Sequence, residues 1–275
     1  IIGTTLQSLQ GITNDIVIVD SGSTDTTLSI ARQFGARIIE TTWDGYGQNK
    51  NKGIEIAKHD WILNLDADEA IDETLKAAIT GLALQDENTV YNFKFKNFFC
   101  NKWIRFGEWS GDKHIRLFNR KAVKWNTAAV HEGLTLSSNN KVVLLPGNVL
   151  HYTTQHIDEY ISKTIAYAKL NAQKYQLQGK QASFFKLRVA PGLTFFQHYI
   201  LRLGFLDGWE GYLIAKTTAW YTFLKYSFLK EMTNTDFIAL RDRVGVVLSR
   251  CKFIDELGNH YSKEESIHLS LYIGI

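Results

Sequence analysis

Residues 61–70 read WILNLDADEA, and the junction inside this stretch decides the architecture. Trp61 to Leu65 is a short apolar run suited to a strand buried on both faces, and it ends in Asp66, Asp68 and Glu69. Acids at the carboxyl end of such a strand either meet water or are placed to hold a cation. One residue separates Asp66 from Asp68, so a continuing strand points both carboxylates to one side, an arrangement suited to Mg²⁺ or Mn²⁺.

Working outward, the preceding sequence alternates strand and helix. DIVIVD (15–20) is another buried-strand pattern, followed by the turn formers SGSTD and a helical stretch that stops at Gly35. ARIIET then reads as a strand, QNKNKGIEIAKHD as a helix and WILNLD as a third strand. Strands joined by short helices imply right-handed crossovers, hence an α/β class with a mostly parallel sheet flanked by helices. Ligands of such sheets bind outside the carboxyl ends of the strands, where both VDSGSTD and LDADE lie.

Composition narrows the function. The 275 residues carry a formal charge of +3, too little for a nucleic-acid-binding face, so no nucleic-acid partner is expected. Two cysteines, Cys100 and Cys251, are too few and too far apart for a disulfide framework or a zinc cluster, and a reducing compartment is expected. The N-terminal IIGTTLQSLQGITND lacks the charged and apolar regions of a signal peptide, and the chain does not begin with Met. From Leu187 to Leu229 charged residues interrupt the apolar positions before any run reaches the roughly 18 to 20 residues of a spanning helix.

The segments IVDSGSTDTT, GYGQNKNKGIEIAKHDWILNLDADE, IRLFNRKAVKWNTAAVHEGL, LHYT and LRLGFLDGWEGYLIAKTTAWYTFLKY, in that order, resemble the family 2 glycosyltransferases. The likeness runs from about Ile1 to Glu231 and is nearest to the branch that adds glucose to the bacterial lipopolysaccharide core. It implies a GT-A fold, Rossmann-like, with a C-terminal helical, aromatic-rich extension. It also implies inverting, metal-dependent transfer of a hexose, with glucose foremost, from a UDP-linked or other nucleotide-diphosphate donor to a lipid-linked saccharide.

The resemblance assigns roles. Asp20 and Ser21 fall at the nucleoside, Lys50 and Asn51 beside the nucleotide, and DADE at the family's DXD metal motif, with Asp68 the direct ligand and Asp66 near ribose or metal. A divalent cation, Mg²⁺ or Mn²⁺, stabilises the charge on the departing diphosphate. Inverting transfer also needs a carboxylate to take the acceptor hydroxyl's proton. Glu132 of VHE is the first choice and Asp112 the rival. His131 either ligates the metal or orients the base. Arg116 holds the diphosphate or pairs with Glu132, Trp109 stacks on the acceptor sugar or belongs to the core, and His151 is a secondary candidate.

The C-terminal part changes character. Residues 184–230 interleave Phe, Tyr and Trp with Lys and Arg, a composition suited to a bilayer interface. Peripheral contact with the inner face of the cytoplasmic membrane is expected on this ground and on the lipid acceptors of the branch. The expected division is 1–153 catalytic, 154–231 helical and membrane-associating, and 232–275 a tail of unknown role.

The family pattern begins with an apolar strand ahead of IIGTTLQSLQ that this sequence lacks, leaving an open position in the sheet. HLSLYIGI near the C-terminus has the alternation to fill it. Two other function classes stay open. One is a nucleotidyltransferase, which also sets paired acids on Mg²⁺ but normally shows a Gly-rich basic loop absent here. The other is a non-catalytic sugar-binding relative, distinguished by lack of donor turnover.

Overall fold

The computed structural model describes residues 1–126, 133–234 and 270–274. Two compact units form. The first comprises Ile1–Trp103, Trp109–Gln155 and the strand Ser270–Gly274, and the second is built from 104–108 and 156–234.

In chain order the first unit contains α1 (Ile2–Ser8), β1 (Asp15–Asp20), α2 (Thr27–Gln33), β2 (Arg37–Glu40), α3 (Tyr46–Ile56) and β3 (Trp61–Asp66). β4 (Glu69–Ile71), α4 (Glu73–Thr80), β5 (Thr89–Phe99), β6 (Lys102–Trp103) and β7 (Lys113–Asn119) follow. A two-stranded ribbon of β8 (Lys124–Trp125) and β9 (Leu134–Thr135) precedes the long β10 (Lys141–Thr154).

The main sheet runs β2-β1-β11-β3-β7-β5-β10-β4, where β11 is Ser270–Gly274, and β6 pairs with β5 off this path. β1, β2 and β3 point the same way, as the alternating pattern predicts. The sheet is mixed, because β7 and β11 run antiparallel to their neighbours and, among the described residues, only the β1–β2 and β5–β10 pairings are parallel. β11 takes the position between β1 and β3, pairing Val19 with Ser270 on one side and Asp66 with Ser270 on the other.

β3 carries apolar residues on both faces because both are covered, with Asn64 as its one buried polar side chain before Asp66. Leu63 and Leu65 join Phe93, Leu117 and the α1 and α4 residues Leu6 and Leu75 on one face. Ile62, one step out of phase, joins Val17, Val19, Phe118 and Ile54 of α3 on the other. Ile62, Leu63 and Leu65 are fully buried, and each such side chain contributes roughly 1.5–3 kcal/mol. A strand this well buried fixes the place where its carboxyl end emerges.

The second unit holds α5 (Ile157–Leu177), α6 (Phe184–Arg188), α7 (Ala190–Phe196), a π turn at Gln197–Leu201, a 3₁₀ turn at Gly204–Asp207 and α8 (Gly208–Thr233). α5 buries Ala168 and Ala172, and α8 buries Gly211, Ile214 and Ala215. The RLGFLDGWEG stretch is a tight backbone crossing. A Cβ on Gly211 would run into the carbonyl oxygen of Gly204, and one on Gly204 into that of His198. Buried Asp207 accepts the backbone N–H groups of Arg105 and Phe106 at 3.0 and 2.8 Å. Gly211→Ala is therefore expected to lower stability by about 3 kcal/mol, visible as a reduced thermal midpoint, because the obstacle is backbone that cannot step aside.

Candidate functional site

The DADE segment does not continue as a strand. β3 ends at Asp66, Ala67 and Asp68 turn, and Glu69 opens β4, which pairs with β10. This corrects the expectation that Asp66 and Asp68 share one strand face. The turn gives the three acids three different settings.

Asp66 sits between two cations, with Lys50 Nζ 3.5 Å from Oδ1 and Arg116 Nη2 3.2 Å from Oδ2. Lys50 and Arg116 are both buried. Glu69, buried as well, pairs with Arg116 and accepts the backbone N–H of Asp66 at 3.1 Å. Burial pushes the Glu69 carboxyl above its usual range, opposed by the guanidinium beside it. Burial works against the charge on Arg116, but Glu69 and Asp66 outweigh it and hold its pKa above the ordinary value. Arg116 stays charged.

Asp68 is one-third exposed, and its ion-pair partner among the described residues is His151, at 3.5 Å. Burial of the His151 ring disfavours protonation, yet the hydrogen bond and charge of Asp68, with Glu69 and Asp66 behind it, raise its pKa overall. The other ring nitrogen, Nδ1, lies 2.9 Å from Oδ1 of Asn97. Asn97 donates its amide N–H groups to Asp112 Oδ2 at 2.7 Å and to the Trp109 carbonyl at 2.9 Å. A continuous polar path thus runs Asp68, His151, Asn97, Asp112.

Two cavities meet at this cluster. One of about 200 Å³ is lined by Asp66, Asn97, Trp109, Asp112, Arg116 and His151. The other, about 550 Å³, is lined by Lys50, Asp66, Asn92, Arg116, Trp125 and Leu134, among others. Asp66, His114 and Arg116 border both. In the larger cavity's wall Arg116 Nε, Trp125 Nε1 and Asn92 Oδ1 are buried with no hydrogen-bond partner among the described residues. Buried polar atoms without partners are rare, and three around one cavity suit a polar ligand.

The remaining expected residues are placed as follows. Asp20, buried at the end of β1, accepts the backbone N–H groups of Gly22 and Ser23, and Ser21 Oγ receives Asn49 Nδ2 at 3.0 Å. Asn51 does not offer its amide to a ligand. Its Nδ2 bonds the Trp125 carbonyl and its Oδ1 the Trp125 N–H, so this side chain clamps β8 to α3. Trp109 lines the smaller cavity and also packs on Phe99, with ring centroids 5.9 Å apart. His131 and Glu132 lie outside the described residues, as does Cys251.

Sequence reasoning missed Asn97 and undervalued Glu69 and His151. Asn97 carried a readable signal: it falls in phase with Phe93, Phe95 and Phe99 on β5, and a polar residue in the buried register of a strand demands partners. Glu69 had none, because its role depends on Arg116, 47 residues away.

Comparison with known proteins places the chain. The family model described as Glycosyl transferase family 2 matches residues 1–140. An uncharacterized glycosyltransferase of Rickettsia felis is 30% identical over 238 residues, covering 82% of this chain and 83% of that protein. A lipopolysaccharide core biosynthesis glycosyltransferase, LpsC, of Rhizobium meliloti is 29% identical over 230 residues, covering 81% and 84%. Among solved structures, S. aureus TarS superposes with a TM-score of 0.38 at 16% identity over 78% of this chain, which spans about half (52%) of the TarS chain.

Proposed function

This chain belongs to glycosyl transferase family 2, and on that premise we propose that it is an inverting, metal-dependent hexosyltransferase, with UDP-glucose as donor and a lipid-linked saccharide of the lipopolysaccharide core as acceptor. The observation that carries this reading is the strand-end carboxylate Asp66 held between buried Lys50 and Arg116, where the two cavities meet.

In this reading the larger cavity takes the nucleotide diphosphate. Arg116 offers a planar fork to the phosphates, with its unpartnered Nε as one donor, and Lys50 a point charge. Asp20 and Ser21 border the nucleoside from the end of β1. The smaller cavity takes the reacting end of the acceptor, with Trp109 as its stacking wall. Asp112 receives the proton of the attacking hydroxyl, since its Oδ2 is held by Asn97 and its Oδ1 has no hydrogen bond among the described residues. Glu132 is the alternative base.

The residues present suit a divalent cation held by Asp68. Its carboxylate is partly exposed, and Mg²⁺ typically takes one or two carboxylates together with substrate phosphates and water. No cluster of three protein ligands exists among the described residues, so the donor's own oxygens would complete the set, with His131 as a further candidate. When bound, the ion neutralises charge building on the leaving diphosphate.

Membrane contact is part of the proposal, on the inner face of the cytoplasmic membrane. Between Tyr160 and Lys230 there are ten Lys and Arg residues against two acids, whereas the whole chain carries only +3. Within this stretch Phe184, Leu201 and Trp209 are each more than half exposed. No helix among the described residues is long and apolar enough to cross a membrane, so the contact proposed is peripheral.

Calorimetry with UDP and UDP-glucose, with and without Mn²⁺, tests the donor site. Mn²⁺-dependent binding is expected for the native chain, weakened by about tenfold or more in Asp68→Ala. Equal binding with and without Mn²⁺ would remove the metal from the scheme, and no binding by folded protein would remove the donor.

A further inference from the structure

An open-sided cavity of about 800 Å³ lies wholly within the second unit, outside the machinery described above. Its wall is apolar: Ile161 of α5, Leu187 of α6, Phe195 of α7 and Trp220 and Phe223 of α8 contribute. Such a volume lies within the roughly 300–1,000 Å³ of small-molecule pockets. Two cations, Arg188 and Lys216, complete the lining with no carboxylate among them. Among the described residues neither cation is in an ion pair, and Lys216 Nζ stands 5.7 Å from the Phe195 ring centroid. An apolar trough with unpaired cations on it matches an amphiphile that has an acyl chain and an anionic head.

The surroundings favour a lipid presented from a bilayer. Phe184, Phe185, Leu193 and Phe196, on the same α6 and α7 that form the wall, are each at least half exposed. From Tyr160 to Leu206 the sequence contains no Asp or Glu at all, and the first acid after it, Asp207, is buried on backbone N–H groups. Exposed apolar side chains inside a basic stretch are complementary to an anionic lipid surface.

We infer that this cavity binds an anionic phospholipid, with one acyl chain between α5, α7 and α8 and its phosphate on Arg188 and Lys216. This deepens the membrane contact proposed above and is independent of the donor site. The lipid would dock the second unit by a specific seat in addition to general attraction.

The test uses the whole chain with phosphatidylcholine vesicles, with and without phosphatidylglycerol, the latter also in a chain-brominated form that quenches nearby tryptophan. Binding is expected only with phosphatidylglycerol, accompanied by quenching of a component that Trp220→Phe removes. Arg188→Glu combined with Lys216→Glu, both at exposed positions, should weaken binding by at least about tenfold. Gly192→Phe fills the cavity from a position where an added Cβ meets nothing, so it should abolish Trp220 quenching without loss of thermal stability.

Vesicle binding with no quenching of Trp220, or quenching indifferent to Gly192→Phe, would overturn the inference by leaving only surface adsorption. Equal binding to phosphatidylcholine alone would overturn the role of the cations. Concentration-dependent self-association lost in Gly192→Phe, without lipid quenching, would give the cavity to a second copy. UDP and Mn²⁺ calorimetry on the same variants should match the native chain. Its failure throughout would count against the donor site and not against the lipid seat.

Discussion

Asp112→Asn is expected to lower the rate of hexose transfer by about 10²- to 10⁴-fold while leaving UDP affinity within a factor of about three. The substitution keeps the shape of the site. An asparagine oxygen still accepts the Asn97 Nδ2 hydrogen bond that Asp112 Oδ2 accepts at 2.7 Å, so Asn97, Trp109 and His151 have no reason to move. What disappears is the capacity to take a proton. Transfer kinetics and calorimetry read the two quantities separately, and the split is what a structural role would not produce. A rate within about threefold of native would move the base to Glu132, and Glu132→Gln should then carry the loss.

Arg116→Leu is expected to destabilise the first unit by about 3–5 kcal/mol, since it strands the buried Glu69 carboxylate without its cation. Asp66 keeps Lys50 at 3.5 Å, so the penalty falls mainly on Glu69. Adding Glu69→Gln should recover part of the loss, because the second substitution removes the unpaired charge. Denaturant unfolding of the native chain, both single variants and the double variant closes the cycle. Recovery of stability without recovery of UDP binding would separate the pairing of Arg116 with Glu69 from its proposed contact with phosphate. If Arg116→Leu alone costs under about 1 kcal/mol, the buried pair contributes little to the fold.

Much of the architecture was legible because it rests on local pattern. VIV in β1 and ILNL in β3 are apolar on both faces, and only strands covered on both sides tolerate that. Their carboxyl ends, marked by Asp20 and Asp66, could therefore be located from the sequence alone. The antiparallel strands were less legible. β7 carries a mixed burial pattern, and strand direction depends on connections that no short window encodes.

The site was legible as residue types and not as pairs. Lys50, Asp66, Asp112 and Arg116 each stood out chemically, and they line the two cavities. Asn51, next to Lys50 in the chain, reads the same way yet is spent on the Trp125 backbone, because adjacent helix positions face different directions. The turn at Ala67 and Asp68 could not be foreseen from an acid-x-acid triplet, since it is set by the pairing of β4 with β10, about 80 residues on.

The sequence by itself determined the α/β class, the strand ends that carry the acids, the family and the basic, aromatic character of the C-terminal helices. These follow from periodicity, composition and motif, which act over a few residues. Tertiary structure alone decided three things. It set β7 antiparallel between β3 and β5, it stationed Asp66 between Lys50 and Arg116, and it brought Arg188 and Lys216 to the wall of an apolar, open-sided cavity. Each depends on groups distant in sequence satisfying one another's hydrogen bonds, charge or apolar surface, and that matching is enforced only when the chain is packed.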